Sequence, residues 1–125
     1  MKFKTKPNRL YQKALEYYSK GNCKRLLNNY KGAIADFTLA IKYNPRFAEA
    51  YFKRANTKLI LNDTTGAKKD YDKAIELKPY FAEALLNRGI TRMNDGLVED
   101  AQKDFLKAGK LGLMNAFSVK KELYR

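Results

Sequence analysis

The sequence has no histidine and only one cysteine, Cys23, among its 125 residues. Histidine is the commonest general base near neutral pH, and a zinc site needs several cysteine or histidine ligands. No glycine-rich loop of the kind that cradles phosphates is present either. We therefore expect a chain that is not an enzyme and that binds no metal or cofactor, and one cysteine excludes an internal disulfide.

The sequence also lacks a long apolar run. Its first eight residues, Met1 to Asn8, contain Lys2, Lys4 and Lys6 but no hydrophobic stretch. A signal peptide or a membrane span requires such a stretch. We therefore expect neither, no contact with a membrane, and a cytoplasmic location.

Acidic residues are few: the sequence has 13 Asp and Glu but 26 Lys and Arg, which gives a net charge of +13. Such a charge attracts anionic partners over long range. Two interpretations stay open, because a high lysine content also arises as a compositional bias or serves solubility alone. The charge therefore suggests an acidic partner without identifying one.

What the sequence does contain is an internal repeat. Alanines recur every 34 residues in two series, Ala33, Ala67 and Ala101, and Ala40, Ala74 and Ala108. The same register aligns Tyr17, Tyr51 and Leu85; Gly21, Ala55 and Gly89; Phe37, Tyr71 and Phe105; and Pro45 and Pro79. A period of 34 with small residues at fixed places is typical of helix pairs stacked in a solenoid. In this register Cys23 aligns with Thr57 and Thr91, which predicts a small buried residue rather than a reactive thiol.

These residues resemble the tetratricopeptide repeat, a pattern of an aromatic, a small residue, then Ala, Phe and Pro at fixed offsets. The resemblance covers 14–115 and implies an all-α, right-handed solenoid of three antiparallel helix-turn-helix repeats, at 14–47, 48–81 and 82–115. A basic segment, 1–13, leads into the first helix. The predicted helices span 9–27, 31–43, 48–61, 65–77, 82–94, 98–111 and 116–124.

The last predicted helix is a capping helix within 116–125. Leu113 stands where the third repeat would have its proline, and Asn115 could cap a new helix. Ala116, Val119 and Leu123 would then cover the open end of the array.

Charged residues recur with the same period as the alanines. Three bases in the first helices are Lys20, Arg54 and Arg88, and three acids in the second helices are Asp36, Asp70 and Asp104. Like charges one helical turn apart are unfavourable, and the bases have such neighbours in Lys24, Lys58 and Arg92. We predict that each aspartate pairs with the first base of its unit, partly buried and specifying register more than adding stability.

That pairing would leave Lys24, Lys58 and Arg92 as a possible anion stripe. One interpretation is a track for phosphates or an acidic peptide. The other is that their long stems cover apolar surface while the charged ends reach water, which we favour.

The resemblance implies that ligands bind on the concave side, lined by the first helix of each pair. The predicted peptide-groove residues are Tyr18, Asn22, Arg25, Phe52, Lys53, Asn56, Leu59, Leu86, Asn87 and Ile90. Asparagine amides can bond an extended backbone, and aromatic rings supply contact area. The alternative is an ordinary solvated helix surface.

One branch of the family grips a C-terminal carboxylate with a clamp of lysines, asparagines and an arginine. When the first unit of this chain is aligned with the first unit of the clamp, only Asn22 agrees. A shift by one unit recovers Asn56 and Asn87, with Lys121 for the arginine, but it puts Phe52 and Phe117 where lysines belong. The sequence therefore disfavours binding of a chaperone tail.

The leading functional prediction is a non-catalytic protein-interaction module whose concave groove binds a peptide or helix of a protein partner. The alternative is a binder of anionic ligands or nucleic acid that uses a basic ladder on the first helices. As to oligomeric state, we expect a monomer or weak end-to-end self-association.

Overall fold

The computed structural model describes the backbone of residues 8–123 and the side chains of residues 8–112. It contains six α-helices: α1 Arg9–Leu26, α2 Tyr30–Tyr43, α3 Ala48–Ile60, α4 Thr64–Leu77, α5 Ala82–Asn94 and α6 Val98–Leu123. No strand occurs within these residues. None of the described helices is both long enough and apolar enough to cross a membrane.

The helices form three antiparallel hairpins, α1/α2, α3/α4 and α5/α6, stacked in chain order. Each hairpin also contacts the next one, through α2 against α3 and α4 against α5. This arrangement confirms the predicted all-α helical-repeat solenoid. The first five helices agree with their predicted ranges to within one residue at each end.

The prediction of a separate capping helix is wrong, because α6 runs without a break from Val98 to Leu123. Leu113 keeps the backbone N–H that a proline would remove, so the helix is not forced to stop there. Asn115 consequently lies inside α6 instead of capping a new helix. The side chains of Ala116, Val119 and Leu123 lie outside the described residues, as do residues 1–7 of the N-terminal segment.

The turn inside each of the three hairpins contains one residue with a positive φ angle. Asn28, Asn62 and Gly96 adopt φ angles of 62°, 64° and 81°. Asparagine and glycine tolerate this left-handed conformation best, and it ends the first helix. In the first two hairpins the next residue, Asn29 or Asp63, caps the second helix by accepting the N–H three residues later at 3.1 and 3.0 Å.

Inside each hairpin the two helices cross at a residue without a large side chain. A Cβ added to Gly21 would lie 2.7 Å from the ring of Phe37, and one added to Gly89 would lie 2.6 Å from the ring of Phe105. Ala55, which is fully buried, occupies this place in the middle hairpin. The aromatic ring on the second helix therefore fills the space that the small residue leaves.

Successive hairpins are joined by a pair of aromatic residues, one on the first helix of a hairpin and the other at the N-cap of the next first helix. The rings of Tyr18 and Phe47 lie 4.7 Å apart, and those of Phe52 and Phe81 are also 4.7 Å apart. Both pairs are tilted, which is a favourable arrangement of aromatic rings. One cluster of buried side chains runs through the second and third hairpins, from Ala48 to Ala108.

The close crossing predicts opposite effects for one substitution at two glycines. Gly109→Ala should raise the free energy of unfolding by about 0.5–1 kcal/mol, because alanine favours a helix and no atom lies within 4 Å of the added Cβ. Gly89→Ala gains the same preference but meets the Phe105 ring, so we expect a net loss of about 1 kcal/mol. Urea unfolding measures both, and an equal stabilisation of the two variants would contradict the crossing.

Candidate functional site: a concave groove backed by ion pairs

Each hairpin holds one buried aspartate between its helices. Arg54 grips Asp70 with two hydrogen bonds, from Nε at 2.8 Å and from Nη2 at 2.7 Å. Arg88 grips Asp104 in the same way, at 2.9 and 2.8 Å. Two parallel bonds from one guanidinium fix both groups in one geometry. The hydrogen bonds and the charge of Asp104 raise the pKa of Arg88, so the guanidinium stays charged.

The bases predicted to form an anion stripe bind the same aspartates. Lys24 lies 2.9 Å from Asp36, Lys58 lies 3.0 Å from Asp70, and Arg92 Nη1 donates to Asp104 at 2.9 Å. The stripe interpretation is therefore wrong, because these charges are already paired. A base one turn along the helix lies on the same side as the first one, so both reach one carboxylate.

In the first hairpin Asp36 pairs with Lys24, so the predicted pairing with Lys20 is wrong. The Lys20 ammonium instead lies over the ring of Tyr17, 5.1 Å from its centroid. Arginine spans both carboxylate oxygens with a planar fork, whereas lysine offers a single point charge. One lysine, Lys24, therefore pairs with Asp36, and Lys20 remains exposed.

The groove lies between the first helices of the second and third hairpins. A cavity of 310 Å³ there is lined by Asn56, Leu59, Ile60, Tyr71, Asn87 and Ile90. Four of the predicted groove residues are thus brought together. Ile60 and Ile90 are 48 % and 46 % exposed, so the cavity presents apolar surface to solvent.

The two asparagines of the cavity are held by a hydrogen-bond network. Asn87 Nδ2 donates to Asn56 Oδ1 at 3.0 Å, and the Tyr71 hydroxyl donates to the same oxygen. Burial raises the pKa of Tyr71 to about 12, so the hydroxyl keeps its proton at neutral pH. Asn56 Oδ1 therefore accepts two hydrogen bonds. These fix the orientation of the amide, and its Nδ2 points away from Tyr71 and Asn87.

The other predicted groove residues are not part of this cavity. Phe52 is 5 % exposed and packs against Phe81, so its assignment to the groove is wrong. Its ring contacts those of Tyr71 and Phe81, at the junction with the next hairpin. Tyr18 is half-buried in the equivalent contact, and Leu86 lines a separate 280 Å³ cavity beside Phe105.

The first hairpin carries a similar but incomplete site. Asn22 is equivalent to Asn56, but its Oδ1 is buried without a hydrogen-bond partner among the described residues. Phe37, which has no hydroxyl, stands where Tyr71 donates, and Lys53 stands where Asn87 donates. Arg25, one turn beyond Asn22, is half-buried. The amide network therefore forms once in the array.

Two residues of the cavity were missed from the sequence. Ile60 is the last residue of α3 and was not among the predicted groove residues, which end in this helix at Leu59. Tyr71 aligns with Phe37 and Phe105 in the repeat, and its side chain is fully buried. The signal for Tyr71 was a hydroxyl at a position that carries phenylalanine in the other two units.

Cys23 is exposed, so the prediction of a buried small residue is wrong. Its equivalents Thr57 and Thr91 are only 0 % and 4 % exposed. A described hairpin precedes α3 and α5, whereas no described residue covers this side of α1. The repeat register therefore misleads at the first hairpin.

Comparison with known proteins agrees with this architecture. The family model described as "Tetratricopeptide repeat" matches residues 17–47 and 48–81, more than half of the chain. The chain belongs to the tetratricopeptide repeat family. No curated protein matches the sequence.

Three solved structures have a similar fold. The Arabidopsis OM64 TPR domain has a TM-score of 0.79 at 28 % identity, over 91 % of this chain and 96 % of that one. The second TPR of Spaghetti (RPAP3), bound to the HSP90 peptide SRMEEVD, has 0.77 at 28 %, over 81 % and 94 %. MamA has 0.77 at 29 %, over 82 % of this chain, and this match spans only 60 % of the MamA chain.

The buried aspartates predict a large difference between two neighbouring acids. Asp70→Ala leaves Arg54 and Lys58 without their buried partner, so we expect a loss of about 3 kcal/mol in the free energy of unfolding. Asp72→Ala removes a side chain that is 61 % exposed, and should cost less than about 1 kcal/mol. Chemical denaturation of both variants tests this, and equal losses would refute the role of Asp70.

The unpartnered oxygen of Asn22 predicts a stabilising substitution. Phe37→Tyr places a hydroxyl where Tyr71 has one, so it should donate to Asn22 Oδ1 and raise stability by about 1 kcal/mol. The matched control is Phe105→Tyr, because the equivalent of Asn22 in that hairpin is Ile90, which accepts no hydrogen bond. Thermal unfolding compares them, and a gain in the control alone would contradict the proposed contact.

Proposed function

We propose that this chain is a non-catalytic protein-interaction module that binds an extended peptide segment of a partner in the groove between α3 and α5. The coarser statement follows from its family, whose members serve as protein-interaction scaffolds and are generally not enzymes. The groove assignment rests on the cavity at Asn56 and Asn87, which combines exposed apolar side chains with an oriented amide pair.

The amide pair supports recognition of a peptide backbone. Asn56 Oδ1 is occupied by two donors, whereas Asn56 Nδ2 and Asn87 Oδ1 bond no other side chain among the described residues. An amide N–H can donate to a peptide carbonyl and an amide oxygen can accept a peptide N–H. The pair therefore offers one donor and one acceptor to the main chain of a ligand.

The apolar part of the cavity supports a single hydrophobic anchor in the ligand. Leu59, Ile60 and Ile90 contribute the apolar lining of the 310 Å³ space. A small number of buried anchors usually dominates the binding energy of an interface. We infer that the ligand carries a leucine-sized or aromatic side chain next to the backbone held by Asn56 and Asn87.

The HSP90 peptide SRMEEVD, which the second TPR of Spaghetti binds, fits this groove poorly. A carboxylate-binding clamp requires cationic side chains on the concave side, but the corresponding positions here hold Tyr18 and Glu83 in one register, and Phe52 in the other. Glu83 would repel a carboxylate, and Phe52 is buried. We propose that this chain selects an apolar anchor rather than a C-terminal carboxylate.

The alternative of an anion or nucleic-acid binder is not supported. Apart from Lys20, the bases that would form the ladder on the first helices, Lys24, Arg54, Lys58, Arg88 and Arg92, bind Asp36, Asp70 or Asp104. A polyanion would have to compete with these buried carboxylates. The groove, in contrast, requires no such exchange.

A random peptide library displayed on phage tests the proposal. Peptides selected on the wild-type chain are synthesised with a fluorescent label, and their affinity is measured by anisotropy. Ile90→Glu should weaken them about tenfold or more, because it puts a charge in the apolar cavity. SRMEEVD, measured alongside, should bind more weakly than the selected peptides.

The matched control is Leu106→Glu, the same change in charge at an exposed apolar residue of α6 outside the groove. It should leave the affinity unchanged. Selected peptides that lose affinity equally in both variants, or that are unaffected by Ile90→Glu, would show that the ligand does not occupy this cavity.

A further inference from the structure

The outer side of α1 is equivalent to a surface that is covered in the other two hairpins. We call this surface the N-terminal face, and its residues are Leu10, Lys13, Glu16, Tyr17, Lys20 and Cys23. Their spacing of three or four residues puts them on one side of α1. The equivalents of Glu16, Tyr17, Lys20 and Cys23 lie in α3, and that of Lys13 is Phe47, just before α3.

Burial shows the difference between the hairpins. Ala50 and Ala84, the equivalents of Glu16, are fully buried beneath the preceding hairpin. Glu16 itself is exposed, and Cys23 differs from its buried threonine equivalents in the same way. Within the described residues nothing covers this face of α1.

Contacts between hairpins show what such a face binds. Arg54 Nη1 donates to Thr38 Oγ1 of the preceding hairpin at 3.1 Å. Arg88 Nη1 donates to Asp72 Oδ1 of its preceding hairpin at 3.2 Å. The equivalent base on α1 is Lys20, so it lies where a base meets an acceptor on a neighbouring helix.

Lysine also replaces the aromatic residue of this contact. Phe47 and Phe81 pack on the aromatic ring of the preceding first helix, and the equivalent residue on α1 is Lys13. A helix that covers α1 would therefore meet an ammonium group where the inner hairpins present a phenyl ring. Apolar surface for a helix remains next to it in Leu10, which is half exposed, and in Tyr17.

The positive charges of the face are held over an aromatic stack. The rings of Tyr17 and Tyr43 are parallel, with centroids 5.7 Å apart. Lys13 and Lys42 lie 5.2 and 6.0 Å from the Tyr43 centroid, and Lys20 lies over Tyr17. None of these lysines forms an ion pair with a described residue. The lysines thus outnumber the one carboxylate of the face, Glu16.

We propose that the N-terminal face binds an acidic amphipathic helix of another protein. Its apolar side covers Leu10 and Tyr17, and its carboxylates meet Lys13 and Lys20 as Asp72 meets Arg88. The surface is distinct from the peptide groove and does not depend on the proposed function of the groove.

A second copy of this chain is a poor occupant of the face. Stacking in the register of the array would put α6 of one copy against α1 of the next. Leu106, which is 66 % exposed, stands in α6 where Thr38 and Asp72 provide their acceptors. Lys20 would then have no acceptor. The exposed lysines of α6, Lys103, Lys107 and Lys110, would add like charges.

The probe for this surface is a fluorescent synthetic helix about three heptads long, with leucine at its a and d positions and glutamate at e and g. A matched peptide carries lysine in place of glutamate. We expect the glutamate peptide to bind the wild-type chain and the lysine peptide not to bind. Affinity is measured by anisotropy at physiological salt, where screening limits nonspecific attraction.

Two double variants separate the face from the overall charge. Lys13→Glu with Lys20→Glu should weaken the glutamate peptide about tenfold or more. Lys103→Glu with Lys107→Glu changes the net charge equally but lies on α6, so it should alter the affinity less than about twofold. All four lysines are exposed, and circular dichroism confirms that each variant is folded.

The single cysteine gives an independent readout of the same contact. Cys23 lies on the face, so saturating glutamate peptide should slow its alkylation by N-ethylmaleimide, measured by mass spectrometry. The control cysteine has to lie away from α1, because a thiol at Ser19 would still be close to the bound peptide. Cys23→Ser with Lys107→Cys moves the thiol to α6, where the peptide should leave the alkylation rate unchanged.

Three outcomes would overturn the proposal. The first is equal weakening by the two double variants, which would mean that only the overall charge attracts the peptide. The second is alkylation of Cys23 at the same rate with and without peptide. The third is concentration-dependent dimerisation in sedimentation that Lys13→Glu with Lys20→Glu abolishes, since a second copy would then be the occupant. Ile90→Glu, which tests the groove, should change none of these results.

Discussion

The close crossing of the two helices in each hairpin is the constraint on which the other contacts depend. It requires Gly21, Ala55 or Gly89 on the first helix, because the aromatic ring of the second helix occupies the space of a side chain. The same approach brings the buried aspartates into reach. The Cβ of Asp104 lies 3.2 Å from the place that a Cβ on Gly89 would take. Aspartate is short, so it meets a base only where the helix axes are this close.

The aspartates in turn connect the hairpins. Arg88 grips Asp104 within its own hairpin while its remaining Nη reaches Asp72 of the preceding one. Burying charges costs desolvation energy that the ion pair only partly offsets, so the net gain in stability is small. A planar guanidinium with two fixed acceptors does, however, allow only one arrangement of three helices. We infer that these pairs set the register in which the hairpins stack.

Periodicity was sufficient to predict the helices and turns, because one residue type at each repeated position has one backbone role. It was insufficient where two repeated positions compete for one partner. Lys20 and Lys24 are one turn apart, and only the reach of each side chain decides which one meets Asp36. Phe52 lies between the groove and the contact of adjacent hairpins, and the sequence does not say which side it faces. At the two ends of the described array the repeat predicts less well, since Leu113 stands where the third proline would be and no described residue covers the outer side of α1.

The two proposed binding surfaces lie where equivalent positions of the repeat carry different residues. Asn56 is oriented because Tyr71 has a hydroxyl and Asn87 has an amide, whereas Asn22 faces Phe37 and has no such donors. A repeat that was identical in all units would present the same surface three times and would bind a ligand without a preferred position. Among the described residues the amide network forms once, between α3 and α5, so the proposed groove would hold a peptide backbone in one register. The same reasoning applies to α1, because a lysine in place of the inner phenylalanine turns a surface for hairpin stacking into one that favours a helix of opposite charge.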